Sequence, residues 1–369
     1  MKNNGVIKSI QYLRGIAALM VVFFHFRYYL NDINPDVALG DTLFQNGAFG
    51  VDLFFIISGF IICYATRYHE ERPLLACAMK RFFRIYPLMV ISLLIFYLMF
   101  RGEGDAVFRS FIPLHADYSE KGPFFGYNML SPVWTLTYEI SFYALFFVGL
   151  VMSQRHRKVI TLSLILFLFA ALQLFLNNGI KISAYTDYDY VGNALIEPVM
   201  AILSSPMILE FCYGIALYMI CVSLPDISDR TRKIFNPLAI GLILLSAALC
   251  FSPLFYGHGP LRWGVPCFLL LLGAIVYERF NGIPSFKWLF FLGNISYSLY
   301  LTHILIIKAI RKYDIHFGLD GIAAFVFAIM LSIGIAALAY RLIESRSIQV
   351  CRTLLNDLKA GRPQFGAPA

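Results

Sequence analysis

The chain has 369 residues, of which 59% are hydrophobic and only 14% charged, with a mean hydropathy of +0.70, against a roughly 45–50% apolar share in soluble domains. A water-soluble fold cannot hide that much apolar surface, so the composition excludes one and leaves a protein that uses lipid as part of its solvent. The net charge of +8 falls in the connections between apolar stretches and calls for no nucleic-acid partner.

About 20 apolar residues cross the hydrocarbon core as a helix. Ten stretches qualify: 10 to 28, 48 to 66, 85 to 100, 133 to 152, 159 to 177, 197 to 222, 235 to 253, 263 to 278, 289 to 309 and 321 to 342. The expected fold is an all-α, polytopic transmembrane helix bundle of about ten spans, with residues 1–345 as the membrane domain and 346–369 as a tail. With the N-terminus in the cytoplasm, segments on that side hold 20 of the 30 lysines and arginines and the opposite side seven; Arg14, Arg27 and Lys308 lie within or at the ends of spans. The positive-inside rule then places both termini, and the tail, in the cytoplasm. The first span carries Arg14 and His25 and lacks a small-residue cleavage site, so it is expected to be retained.

Ionisable side chains inside spans cost about 2.5–3.5 kcal/mol each on insertion scales, which makes them candidates for function. In the first span, Arg14 and His25 are eleven residues apart, which returns them to within roughly 20° of one helix face with a rise of about 16 Å. Taken alone, a snorkelling arginine and a helix-end histidine explain the pair equally well. The second span opens with Gly50-Val51-Asp52 and continues to Ser58-Gly59. The stretch Lys80 to Pro87 follows, in which Arg81 and Arg84 share a face if helical and form a natural clamp for phosphate; a positive-inside flank has the same look. The connection from 101 to 131 is long, a property more common in functional loops. Trp134 to Glu139 opens the fourth span. Tyrosines alternating with Asp187 and Asp189 between 185 and 190 suit sugar rings or, equally, a membrane-interface belt. Glu197, Glu210 and His303 complete the set. The seven cysteines show no C-x-x-C and no ligand-like spacing to histidine, so neither a metal nor a disulfide is expected.

With these motifs in this order, the chain resembles the integral-membrane acyltransferase 3 family, bacterial enzymes that O-acylate lipopolysaccharide, exopolysaccharide and related envelope glycans. The resemblance runs from Tyr12-Leu13-Arg14-Gly15 through the 49 to 60 stretch to the 293 to 303 stretch. In that family an arginine, ten residues and a histidine form the first-span motif, which implies catalytic roles for Arg14 and His25. An Arg-x-x-Arg before Ile-x-Pro implies that Arg81 and Arg84 bind the acyl-CoA donor. The Asp52 and Glu139 segments match as well. Gln11-Tyr12 stands where many relatives have Asp-Gly, which resembles the exopolysaccharide-modifying branch. Relatives with a fused periplasmic hydrolase-like domain are longer, and no such domain is expected after the tenth span.

The resemblance implies an enzyme of the bacterial inner membrane that moves an acyl group, acetyl above all, from cytoplasmic acetyl-CoA to a hydroxyl of an exported polysaccharide or lipid-linked glycan. Arg14 would hold the pantetheine arm or polarise the thioester. His25 would act as general base or carry the acyl group as acyl-imidazole, with Asp52 or Glu139 orienting its ring. His303, outside the first-span motif, is expected to matter less. The rival class is a transporter or glycan flippase, against which stands the lack of an inverted repeat. Reporter fusions after Ser119 and after Tyr185 are expected to read as periplasmic, and one after Gln349 as cytoplasmic; a periplasmic C-terminus overturns the ten-span arrangement.

Overall fold

The computed structural model describes residues 6–33, 36–68, 70–100, 110–115, 117–186, 196–225, 228–315 and 318–360. Arg101, Arg109 and the alternation at 187–190 lie outside the described residues. Among the described residues the protein is all-helical, without a strand. Ten helical segments are long and apolar enough to cross a membrane, counting the short turns that lead into three of them. They are α1 (Lys8–Phe26), α2 (Gly50–Ala65), α3 (Pro73–Phe100), α4 (Trp134–Met152), α5 (Arg157–Asn177), α6 (Leu209–Ser223), α7 (Asp229–Cys250), α8 (Gly264–Asn281), α9 (Lys287–Tyr313) and α10 (Gly321–Ala339). The chain is a multi-pass membrane protein.

The bundle is organised around α9, 78% of whose most apolar stretch is buried inside the protein, whereas α7 and α5 stand at the lipid-facing periphery with 17% and 22%. The partner that α9 contacts most is α1. Small residues let their backbones approach, as is usual in membranes. A Cβ on Gly15 would lie 2.8 Å from both the Gly293 nitrogen and the Leu292 Cβ, and one on Gly293 would run into the Gln11 carbonyl. Gln11 adds a side-chain hydrogen bond to Asn294 at 2.7 Å. The N-terminus of α1 has no cap of its own; Glu278 at the end of α8 supplies one, accepting from the Lys8 and Ser9 amides at 2.8 and 2.7 Å, where free N–H groups and the helix dipole favour a carboxylate. A second small-residue crossing joins α2 to α6, where Gly59 and Gly214 face each other.

Three boundaries differ from the sequence expectation. The third span starts at Pro73, not 85, so Arg81 and Arg84 belong to the helix itself. The expected span 197–222 is two pieces, Glu197–Ser204 and α6. Ser205 between them is extended, as the residue before a proline prefers. Finally, α10 runs through a π-helical turn, Tyr340–Glu344, into α11 (Ser345–Ala360), which packs on α3.

The α1–α9 crossing predicts its own test. Gly293→Leu should destabilise the fold by about 3 kcal/mol through overpacking, read as a lower thermal midpoint of the detergent-solubilised protein. Gly241→Leu, at a position with no neighbouring atom within 4 Å of the added Cβ, should leave it unchanged.

Candidate active site

A cavity of about 340 Å³ lies between α1, α2, α3, α4 and α9. At the bundle end where α1 begins it is bordered by Thr66, Pro73 and Lys80; its inner end is closed by Phe54, Thr135 and Tyr300. Arg14, Arg81, Arg84 and Glu139 all line it, so four of the residues singled out in the sequence share one chamber. Arg81 and Arg84 do so because three residues along α3 return to one face.

These groups are not equivalent. Arg84 bonds the buried carboxylate of Glu344, whose second oxygen accepts from Ser298 Oγ at 2.6 Å; the π-turn after α10 delivers that carboxylate. Arg81 lies over the Tyr143 ring, 4.9 Å from its centroid. Glu139 accepts from Ser58 Oγ at 2.8 Å and from the Tyr143 hydroxyl, tying α2 to α4. Arg14 makes no hydrogen bond or ion pair among the described residues, although Glu139, Glu344, Arg81 and Arg84 surround it.

His25 stands apart from the cavity wall. Its Nδ1–H donates to the Val21 carbonyl at 2.9 Å, and His303 Nε2 lies 3.4 Å from the same nitrogen, the ring centroids being 4.9 Å apart. His303 is fully buried, whereas His25 is half-buried. The link to the cavity is Tyr300, one turn before His303 on α9, with its ring centroid 6.0 Å from that of His303 and its hydroxyl 3.1 Å from Thr135 Oγ1. His303, expected to matter less because it lies outside the first-span motif, is the immediate neighbour of His25.

The orienting carboxylate expected for His25 is not there. Asp52 is fully buried and bonds His258 Nδ1 at 2.8 Å and the Gly259 amide at 2.9 Å, with Glu210 beside it. Glu139 is engaged in the cavity. Asp52 therefore orients a histidine on the connection between α7 and α8. The sequence reading missed His258, Glu344 and Tyr300; the one local sign was the Gly257-His258-Gly259 run, whose glycines both adopt positive φ. Glu197 stands at the start of the short helix before α6, away from the cavity wall. His115, in the connection before α4, packs among Tyr118, Phe125 and Tyr138; burial pushes its pKa down to about 3, so it is a neutral packing group at working pH.

The sequence signature of the acyltransferase 3 family, an acyltransferase domain, matches residues 7–341. The chain belongs to that family. Among curated proteins, it is 28% identical to the exopolysaccharide production protein ExoZ of Rhizobium meliloti, over 82% of this chain and 89% of that one. It is 24% identical to the O-acetyltransferase OatA of Staphylococcus aureus, over 90% of this chain and 56% of that one, so it spans little more than half of the staphylococcal protein. No solved structure matches it. Family membership makes the chain a membrane acyltransferase and sets aside the transporter alternative.

Within this acyltransferase, the Asp52 cluster serves to fasten the 251–263 connection to the first turn of α2. Asp52→Asn keeps an acceptor for the Gly259 amide but turns an amide N–H₂ toward His258. It should cost about 1–3 kcal/mol in stability, seen in the thermal midpoint, without changing affinity for a ligand held in the cavity, measured by titration.

Proposed function

We propose that the protein is an O-acetyltransferase of the bacterial inner membrane, with both termini cytoplasmic, that takes acetyl from acetyl-CoA and places it on a hydroxyl of an exported polysaccharide or lipid-linked glycan. The observation that carries this reading is Arg14: a guanidinium with no hydrogen bond or ion pair among the described residues, facing a cavity that runs from the basic end of the bundle toward the histidine pair. A cation left without a partner in a membrane interior is costly, and a ligand carbonyl or anion resolves the cost. The names of the relatives support the choice of chemistry, an O-acetyltransferase in one case and an exopolysaccharide production protein in the other.

In this reading Arg81, with Lys80 and its partner Glu70 beside it, holds the phosphates of the donor at the end of the cavity where α1 begins. Arg84, committed to Glu344, contributes positive potential and braces the wall. Arg14, on the cavity side of the Tyr300–Thr135 closure, holds a carbonyl of the donor's pantetheine arm. His25 carries its proton on Nδ1, because Val21 offers only an acceptor, which leaves Nε2 as the basic nitrogen. Nε2 removes the proton from the acceptor hydroxyl as its oxygen bonds to the carbonyl carbon. The carbon–sulfur bond then breaks, and His25 returns the proton to the departing thiolate. Tyr300 and Thr135 close the cavity between the two substrates, so transfer requires the acetyl group to pass that point; the same closure keeps water from the thioester.

Purified protein in liposomes with radiolabelled acetyl-CoA and acceptor glycan tests this. Wild type should label the glycan, and Arg14→Ala should be severely impaired. His25→Ala and His25→Gln should lose about 10²–10⁴ in rate. Arg81→Ala should raise the donor KM with kcat largely kept, and Lys should restore only part because it lacks the bidentate fork. Near-normal transfer by well-folded His25→Ala overturns the mechanism.

A further inference from the structure

In the proposed reaction His25 must present one unprotonated nitrogen and tolerate a positive charge after taking a proton. The usual device is a carboxylate on the far ring nitrogen, and neither Asp52 nor Glu139 fills that place. What fills it is an imidazole. His303 Nδ1 lies 3.2 Å from the Leu299 carbonyl, an acceptor only, so that nitrogen carries the proton and Nε2 carries a lone pair. That lone pair points at His25 Nδ1 at 3.4 Å. The opposite tautomer would set a lone pair against the Leu299 oxygen and one N–H against another. The arrangement is therefore directional, from His25 Nδ1–H toward His303 Nε2, with Val21 sharing the same hydrogen.

We propose that His303 is the positioning residue of the acyltransfer site, a neutral acceptor that holds the His25 ring with Nε2 presented and stabilises the imidazolium formed during transfer. The inference rests on the functional reading above. An imidazole suits the place better than a carboxylate because it brings no charge that must be buried when the site is at rest, yet its bond to His25 becomes charge-assisted once the proton has moved. The fold fixes the pair. Gly15 faces Gly293 and His25 faces His303 at the same sequence offset, ten residues further along two parallel helices, so the close glycine crossing sets the approach of the rings.

Two substitutions separate this role from packing. Gln places its amide oxygen near the position of imidazole Nε2, whereas Asn reaches only as far as Nδ1. His303→Asn should lower kcat about 10²-fold, less than removal of a triad carboxylate because Val21 remains, and should leave the donor KM unchanged since His303 does not line the cavity. His303→Gln should recover to within about tenfold of wild type, the gain expected of one restored hydrogen bond to a charged group. Equal loss in both variants at matched folded yield, or wild-type kcat in His303→Asn, overturns the proposal.

A second readout needs neither donor nor acceptor. Carbethoxylation of His25 by diethyl pyrocarbonate, followed by mass spectrometry, should slow several-fold in His303→Asn and return in His303→Gln; equal rates in all three proteins also overturn it. A wild-type protein that fails to transfer acetyl from acetyl-CoA, but shows this pattern of modification, defeats the functional reading while the histidine pairing stands.

Discussion

The close crossing of α1 and α9 is the constraint on which the rest of the site depends. Both helices are parallel, and both place a glycine at the contact, so their axes approach to a distance that any side chain there would forbid. In lipid there is no hydrophobic drive to bring helices together, and close backbone packing takes its place. Once Gly15 meets Gly293, everything further along the two helices is in register. Arg14, next to the crossing, is aimed into the cavity, and ten residues on, His25 meets His303. The cap that Glu278 gives the first turn of α1 stops the helix sliding along its axis, a displacement that would break both relationships at once.

The cavity's guanidiniums are kept apart from the histidine pair. The cavity holds three guanidiniums near Glu139 and Glu344, while beyond Tyr300 lie two imidazoles, with Arg27 at the end of α1 held by Asp41. This partition follows from electrostatics in a poorly screened interior: the interaction of unit charges grows steeply as the effective dielectric falls. A cation cluster beside His25 would oppose its taking a proton, and a carboxylate beside it would itself need a partner at rest. Tyr300 separates the two regions while belonging to both, since its hydroxyl bonds Thr135 at the cavity wall and its ring lies one turn from His303.

The sequence made legible what lies along one helix and hid what lies between helices. Ten apolar spans, the shared face of Arg14 and His25, and the shared face of Arg81 and Arg84 follow from composition and from a period of 3.6 residues. The helix breaks were less visible. Ser205-Pro206 interrupts an apolar run that hydropathy reads as continuous, and the helical period continues before residue 85 through residues too polar to count as a span. The pairings that settle where these residues point join positions 278, 260 and 206 apart, in His25–His303, Arg84–Glu344 and Asp52–His258. No local pattern encodes these. On sequence alone Asp52 is a candidate to orient His25 because a buried carboxylate can hold a histidine ring, and only the packing of the 251–263 connection against α2 shows that another histidine occupies it.

The other cations within or beside the spans show how this fold meets the cost of carrying charge. Arg27 bonds Asp41 at 2.6 Å, Lys308 rests 4.8 Å above the Phe96 ring, and Arg84 has Glu344. Each has found a carboxylate or a π-face inside the protein, as residues of this kind do in membranes. Among the described residues Arg14 departs from that pattern although two carboxylates are near it: Ser58 and Tyr143 both bond Glu139 Oε1, and Glu344 holds Arg84 and Ser298. These contacts orient the two acids toward other partners. A fold selected for stability alone would let Arg14 pair with Glu139. With its neighbours so engaged, Arg14 presents a cation to the open cavity, where a ligand's carbonyl or anionic group meets the cost that the protein leaves unmet.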